Sequence, residues 1–293
     1  MDEDRLKRHD LSDAEWARLE PLLPRHPRQG HRWNDHRLVI DGIFFRVRAG
    51  CPWRDLPERF GNWKTVYNRH RRWSGDGTWE VILGRLRAGC DEAQGAAWMV
   101  AADTTVVRAH QHAAGARRKP PADVDPARLA PAALSDPARP RGAGGLRDRE
   151  ALGRSRGGLT SKIHAVVDTN GLPVRLALTT GEAHDNRLAG KLLSRLKSRT
   201  MLLADHGYDA DWIRALAAER GVWANIPPRC NRSEPICFSP YLYRARNLVE
   251  RFFNKIKQCR RVATRYDNLA ANYLAFVQLA SIRLWLRVKE SAP

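Results

Sequence analysis

The sequence predicts a mixed α/β fold preceded by a helical region. Two observations carry that expectation. Between residues 98 and 226 short β-branched runs alternate with helical periodicity, in the order three strands, helix, strand, helix, strand. Residues 11–90 carry helix starts and apolar faces instead.

The helical region begins at Ser12. Ser12-Asp-Ala-Glu15 is a capping box, followed by apolar residues to Leu23. Residues 36–49 form a second helix with Leu38, Ile40, Ile43, Phe44 and Val47 inward. Pro52, Pro57 and Gly61 punctuate the next stretch, and Asn62 caps a helix through Trp73. On it Trp63, Val66, Tyr67, His70 and Trp73 share one face. Lys64, Asn68, Arg69, Arg71 and Arg72 fall largely elsewhere, giving an exposed, basic face like that of the recognition helix in a helix-turn-helix. The competing reading is a solvated basic face on a structural helix. A first division of the chain is therefore residues 1–95, helical with a basic face suited to DNA, and residues 96–293, where strands and helices alternate.

Order changes at Trp98, where a β-branched run through Asp103 to His110 reads as a strand. From 113 to 157 the chain is rich in Ala, Pro, Arg and Gly, which predicts a flexible surface insertion. Lys162 to Asp168 is the next strand, turned by Asn170-Gly171 into the strand Val174 to Leu178. Leu188 to Lys197 reads as a helix, Met201 to Ala204 as a short buried strand ending at Asp205, and Asp209 to Arg220 as a helix. Val222 to Ile226 is the last strand, and helices over about 243–260 and 268–287 finish the chain.

The 293 residues carry 51 Lys and Arg against 32 Asp and Glu, a net charge of +19. That excess points to a polyanionic partner. Hydrophobic residues make up 43%, which excludes a wholly disordered basic chain. Five cysteines lack any C-x-x-C pair, so a disulfide framework or structural zinc site is not expected, and a reduced cytosolic chain is. The N-terminus has no apolar h-region of a secretory signal. Leu269 to Leu286, the most apolar stretch, contains Asn272, Gln278 and Arg283, which suits a buried helix rather than a membrane span.

Three carboxylates occupy distinctive places: Asp103 within a strand, Asp205 at the end of another, and Glu250 in a helix of cations. Held together they would repel, a cost that hard Mg²⁺ or Mn²⁺ removes. A lone strand-end aspartate is more often a turn or cap residue. From Arg244 to Arg265 there are eight basic residues and one acid, Glu250. Tyr243, Arg246, Glu250 and Lys257 share one stripe of a continuous helix, with Leu248, Val249, Phe252 and Ile256 on the other side. An ion-pair partner is the plain alternative for Glu250. Asp168 reads as a turn residue, and Asp209 and Asp211 as helix-start residues. The spacings of His110, His112, His164, His184 and His206 match no zinc motif.

The spacing Tyr243-x2-Arg246-x3-Glu250-x6-Lys257 resembles the signature of bacterial insertion-sequence DDE transposases. Tyr243-Arg-Ala-Arg-Asn-Leu-Val-Glu-Arg-Phe-Phe-Asn-Lys-Ile-Lys-Gln258 and Arg260-Arg-Val-Ala-Thr-Arg-Tyr-Asp267 resemble the insertion-sequence-five family among them. Asp103-Thr-Thr-Val-Val-Arg-Ala-His110, Gly153 to His164 and Leu203-Ala-Asp-His-Gly-Tyr-Asp209 are similar to further motifs of that family, as are Trp33, Gly50 to Pro57 and Phe60-Gly-Asn-Trp63. His206 and Asn268 depart from it, each standing where Lys is commoner. The resemblance implies an RNase H-like core with Asp103, Asp205 and Glu250 as catalytic, metal-binding residues holding two Mg²⁺ or Mn²⁺ ions. It implies DNA contacts by Tyr243, Arg246 and Lys257, beside those expected of Lys64, Asn68, Arg69 and Arg72. The partners it implies are double-stranded DNA, as terminal inverted repeats and target, and a second copy in a synaptic homodimer. The place implied is the bacterial cytoplasm at the nucleoid, with no membrane. The competing classes are a non-catalytic DNA-binding regulator and a metal-dependent nuclease without strand transfer.

Overall fold

The computed structural model describes residues 9–24, 33–94, 98–115, 150–194, 196 and 198–288. The chain divides into two compact units. One comprises Met1–Leu86, Ala109–Glu150 and Gln258–Pro293; the other comprises Arg87–Arg108 and Ala151–Lys257. The packing units differ from the consecutive division at residue 95 because the C-terminal helix finds its apolar partners among the N-terminal helices.

In the first unit α1 is Asp13–Leu19, and its capping box is complete: Ser12 Oγ accepts from Glu15 N–H and Glu15 accepts from Ser12 N–H. The same Glu15 carboxylate is buried and pairs with Arg283 at 2.9 Å and Arg287 at 3.2 Å. Helix α2 is His36–Ala49, closed by Gly50 in the left-handed region at φ 79°. A β-carbon at Gly50 would lie 2.8 Å from Arg260 Cβ, so both conformation and space favour glycine there. Asn62 caps α3, Trp63–Gly75, through a bond from Lys64 N–H. Helix α4, Thr78–Gln94, follows, with Trp79 and Ile82 buried; the sequence reading assigned it no separate element.

The apolar faces of α2 and α3 close on the C-terminal helix, Ala270–Arg287. His70 stacks on Phe276 with ring centroids 4.4 Å apart, and Tyr273, Phe276, Leu279, Ile282 and Trp285 are buried. Each such side chain contributes about 1.5–3 kcal/mol on burial. Among the described residues no helix is long and apolar enough to cross a membrane.

The second unit is built on a mixed sheet. Its strands are β1 (Met99–Ala109), β2 (Gly153–Ser155), β3 (Gly158–Val167), β4 (Pro173–Thr180), β5 (Met201–Ala204) and β6 (Trp223–Asn225). β3 pairs antiparallel with β1 and β4, while β5 runs parallel to β1 and β6 parallel to β5. Leaving out β2, the order is β4-β3-β1-β5-β6. Three antiparallel strands followed by two parallel ones on the other side of the first is the order of an RNase H-like core. The turn between β3 and β4 is the expected one: Asp168 accepts from Asn170 and Leu172 N–H, with Gly171 at φ 73°.

Several boundaries differ from the sequence reading. β2 lies inside the expected insertion at 113–157, because Ala151, Leu152 and Gly153 are buried and Gly153–Ser155 pairs with β3. Residues 116–149 of that insertion lie outside the described residues. Helix α5 is only Ala189–Leu193, after a 3₁₀ turn at Asp185–Leu188, and Lys197 lies outside the described residues. Helix α6, Asp211–Glu219, starts after Asp209 rather than at it. Asp209 is instead a buried hub, paired with Arg214 at 2.8 Å and Arg232 at 3.0 Å.

The helix expected over 243–260 is broken. Pro240–Tyr243 is one helical turn, α7; Arg244–Arg246 tightens to 3₁₀; and α8 runs from Asn247 to Lys257. Cys259 is extended, φ −83° and ψ 112°, and α9, Arg260–Ala263, restarts beyond it. No Gly or Pro marks that break in the sequence.

Candidate active site

The sheet register brings Asp103 and Asp205 together. In the parallel pair, Ala102 of β1 faces Ala204 of β5. Each aspartate is the next residue, so the two stand side by side where β5 ends, on strands about 4.8 Å apart. Ala102 and Ala204 belong to the core shared with Leu192, Tyr208 and Ile213. Alternation therefore turns both aspartates to the opposite face. Helix α8 packs against β3 and buries Val249, Phe252, Phe253 and Ile256. Glu250, in the first turn of α8, is left outside that apolar face, with its side chain half exposed.

Arg246 joins the set. Its guanidinium donates to Asp103 Oδ2 at 2.5 Å and to Glu250 Oε1 four residues on. The stripe read for a continuous helix is thus realised at Arg246 and Glu250 despite the 3₁₀ turn. Arg246, for which the resemblance implies a DNA contact, is in this structure the ion-pair partner of both carboxylates. Asp103 Oδ1 accepts from Thr104 N–H at 2.7 Å. Burial pushes the Asp103 carboxyl above the ordinary aspartate range; the Thr104 amide and Arg246 pull it down, and the charge of Asp205 pushes it up again. Asp205 Oδ1 accepts from Gly207 N–H at 3.0 Å.

Tyr243 is half-buried, with Arg246 5.7 Å from its ring centroid and Phe238 edge-on at 5.4 Å. Burial raises its hydroxyl pKa; Arg246 lowers it, and Asp205, Asp103 and Glu250 raise it further. All three carboxylates therefore act on one phenol. Lys257 is half-buried, its Nζ donates to Thr105 Oγ1 at 2.5 Å, and burial lowers its pKa. Unlike Arg246, it makes no ion pair among the described residues.

The donor set is carboxylate oxygen, the chemistry that hard divalent cations prefer. Among the described residues no three His, Cys, Asp or Glu side chains stand gathered as a metal cluster. Arg246 supplies the positive charge between Asp103 and Glu250, so a cation shared by those two requires its guanidinium to swing aside.

The residues expected to touch DNA from α3 belong to the other unit. Lys64, Asn68, Arg71 and Arg72 are exposed. Arg69 is not: it is 6% exposed, bonded to His36 Nδ1 at 2.8 Å, with its guanidinium 4.3 Å from the Trp33 ring centroid and 5.1 Å from that of Trp73. The expectation of a solvent-facing Arg69 is corrected, because Trp33 and His36 build an aromatic pocket around it from outside the helix. Burial lowers its pKa to about 10.

Sequence reasoning missed Asp185 and Lys162. They form an ion pair of 2.8 Å, and Asp185 also accepts from the Thr104 hydroxyl at 2.7 Å. The available signal was a lysine within a strand otherwise bound for the core.

Strand order and the paired aspartates define an RNase H-like α/β protein. Residues 95–285 match the family model described as "Transposase DDE domain", and residues 11–83 match that described as "Putative transposase of IS4/5 family". The chain belongs to the DDE transposase family, as an insertion-sequence transposase. It is 41% identical over 130 residues to the "Putative transposase for insertion sequence element IS6501" of Brucella ovis, covering 44% of this chain and 100% of that one. It is 40% identical over 110 residues to "Uncharacterized protein y4sN" of Sinorhizobium fredii, covering 37% and 83%. The solved pre-cleavage Mos1 transpososome overlaps 92% of this chain and 82% of its own at 12% identity, with a TM-score of 0.22. The fold assignment rests on the strand order and not on that overlap.

Proposed function

We propose that the chain binds the terminal inverted repeats of its insertion sequence, cuts the phosphodiester bonds there and joins the freed 3′ ends to target DNA. The observation that carries this reading is the parallel register that sets Asp103 beside Asp205, with Glu250 tied to Asp103 through Arg246. Asp103, Asp205 and Glu250 would hold Mg²⁺ or Mn²⁺, as two ions; bound there, the cations supply activation of the attacking oxygen and charge stabilisation of the leaving one. Lys257, whose cation has no carboxylate partner among the described residues, holds a backbone phosphate for in-line attack. Tyr243 stacks on or hydrogen-bonds the terminal nucleotide. Arg246 leaves the carboxylates for the same backbone when the cations bind.

Lys64, Asn68 and Arg72 on α3 contact the repeat, with Arg71 exposed beside them. Two copies act together across paired ends, on chromosomal DNA in the bacterial cytoplasm. The test is a purified-protein reaction with DNA carrying the element's own ends, Mg²⁺ and a target plasmid. Cleavage followed by joining is the expected result. Cleavage that never proceeds to joining, even from pre-cut 3′-hydroxyl ends, would make the protein a nuclease. Binding without cleavage would make it a regulator.

A further inference from the structure

β1 is held unevenly where its aspartate stands. Its parallel pairing with β5 stops at Ala102–Ala204, whereas its antiparallel pairing with β3 continues through Arg108. Asp103 is thus the first residue of β1 past the β5 ladder. On the face opposite the Asp103 side chain, the next residue takes up a polar anchor. Thr104 donates its hydroxyl to Asp185 Oδ1 at 2.7 Å. Lys162 Nζ donates to the same oxygen at 2.8 Å and to the Ala183 carbonyl at 2.6 Å. Lys162 faces Val106 in the β1–β3 register and its side chain is only 11% exposed. Thr104 thereby joins two carboxylates: its amide holds Asp103 Oδ1 and its hydroxyl holds Asp185. Burial opposes the charge on Asp185, yet the hydrogen bonds from Lys162 and Thr104 keep its carboxyl below the usual range, as an anion suited to this role.

We propose that Asp185 and Lys162 are positioning residues that fix the β1 backbone at Thr104 and so orient the Asp103 carboxylate toward a divalent cation. The inference rests on the reading of Asp103 as a cation-holding residue. Neither side chain touches DNA or cation in this role; the relay runs from Lys162 to Asp185 to the Thr104 hydroxyl, and from the Thr104 amide to Asp103. A pair that merely stabilised the sheet would change melting and leave cation affinity alone.

The test measures Mn²⁺ affinity of the full chain by electron paramagnetic resonance, with end binding in the absence of metal and thermal melting recorded alongside. Asp185→Asn and Thr104→Val should each bind Mn²⁺ about tenfold more weakly, as loss of a group that orients a ligand does, while still binding transposon ends. Thr104→Ser keeps the hydroxyl and should bind Mn²⁺ as wild type does. Thr104→Val keeps the side-chain shape, so it decides the matter if Asp185→Asn fails to fold. Wild-type Mn²⁺ affinity in Thr104→Val, or a Thr104→Ser variant no better than Thr104→Val, overturns the relay. Asp103→Asn is the control. If it too binds Mn²⁺ normally, the metal reading of Asp103 has failed, and the relay, with nothing to orient, fails with it.

Discussion

Arg246 and Asp103 form a 2.5 Å ion pair across 143 residues of sequence, and the other arm of the same guanidinium holds Glu250. One cation therefore neutralises a β1 carboxylate and an α8 carboxylate at once. Arg246 is also among the groups that pull the raised Asp103 carboxyl back down. Arg246→Ala should raise it further, so the ionised form needed for cation binding is reached only at higher pH. The acid limb of the cleavage-rate profile should therefore move upward in pH, with the largest loss of rate on the acid side. A profile that keeps its acid limb removes Arg246 from the control of Asp103.

Asp103→Asn separates chemistry from binding. The amide preserves size and still accepts the Thr104 N–H, but loses the charge. Strand cleavage should vanish while gel-shift affinity for the ends stays near wild type. Cleavage at the wild-type rate would take Asp103 out of the mechanism.

Lys257 and Arg246 should respond differently to alanine. Lys257 gives up one hydrogen bond to Thr105, worth about 0.5–1.5 kcal/mol, and leaves no carboxylate unpaired among the described residues. Lys257→Ala should therefore melt within a few degrees of wild type yet cleave poorly, with cleavage and calorimetry measured on the same preparation. Normal cleavage, or a large drop in melting temperature, would assign Lys257 a structural role.

On α3 the two arginines expected to act alike should part. Arg72 is exposed, and its replacement by Ala should reduce the slope of log affinity against log salt by about 0.9 for one lost phosphate contact. Arg69 lies among Trp33, His36 and Trp73, where cation–π contacts of a desolvated arginine are worth about 2 kcal/mol. Arg69→Ala should lower the melting temperature, and should change the salt slope only through misfolding. Salt titrations of end binding, with melting curves, distinguish the two.

Asp41 gives a pH-dependent test of the first unit. It accepts from Leu11 N–H at 2.9 Å, and burial raises its carboxyl to about 6 from an ordinary value near 3.8. The folded state keeps a proton that the unfolded chain releases between those values, so stability falls as pH rises through about 4 to 6 and the whole penalty is present above. Asn at this position keeps an oxygen for Leu11 and carries no charge. Asp41→Asn should stabilise the protein at pH 7.5 by about 2–3 kcal/mol, and the gain should shrink toward zero near pH 4. A gain that does not depend on pH would show that the buried charge is not its source.

Local signals were legible in the sequence wherever one residue decides the geometry. Ser12 with Glu15, Asn62, and Asp168 with Gly171 each satisfy nearby backbone groups, so four or five residues suffice to read them. The strand pattern placed Asp103 in one strand and Asp205 at the end of another, and the helix spacing set Arg246 and Glu250 on one stripe. Arg69 was misread because its pocket is made by Trp33 and His36, which helical periodicity within α3 does not see. Asp185 was missed because its partners Thr104 and Lys162 lie on different strands, and only the sheet register unites them. The break at Cys259, where the backbone is extended between α8 and α9, carries no local mark such as Gly or Pro.

The membership of Gln258–Pro293 in the first unit has a consequence in time. Helices α2 and α3 leave the ribosome well before Phe276, which stacks on His70, and the rest of Ala270–Arg287. At roughly 5–20 residues per second, the aromatic core of the first unit waits on the order of 10–40 s for its final helix. Within that interval the sheet-bearing unit, whose segments end at Lys257, is synthesised from its first residue to its last, before Ala270–Arg287 follows. Synthesis order thus runs opposite to reading order: the unit that begins first is the one that closes last, and a ribosome stalled before residue 270 presents α2 and α3 as protease-sensitive, unclosed helices.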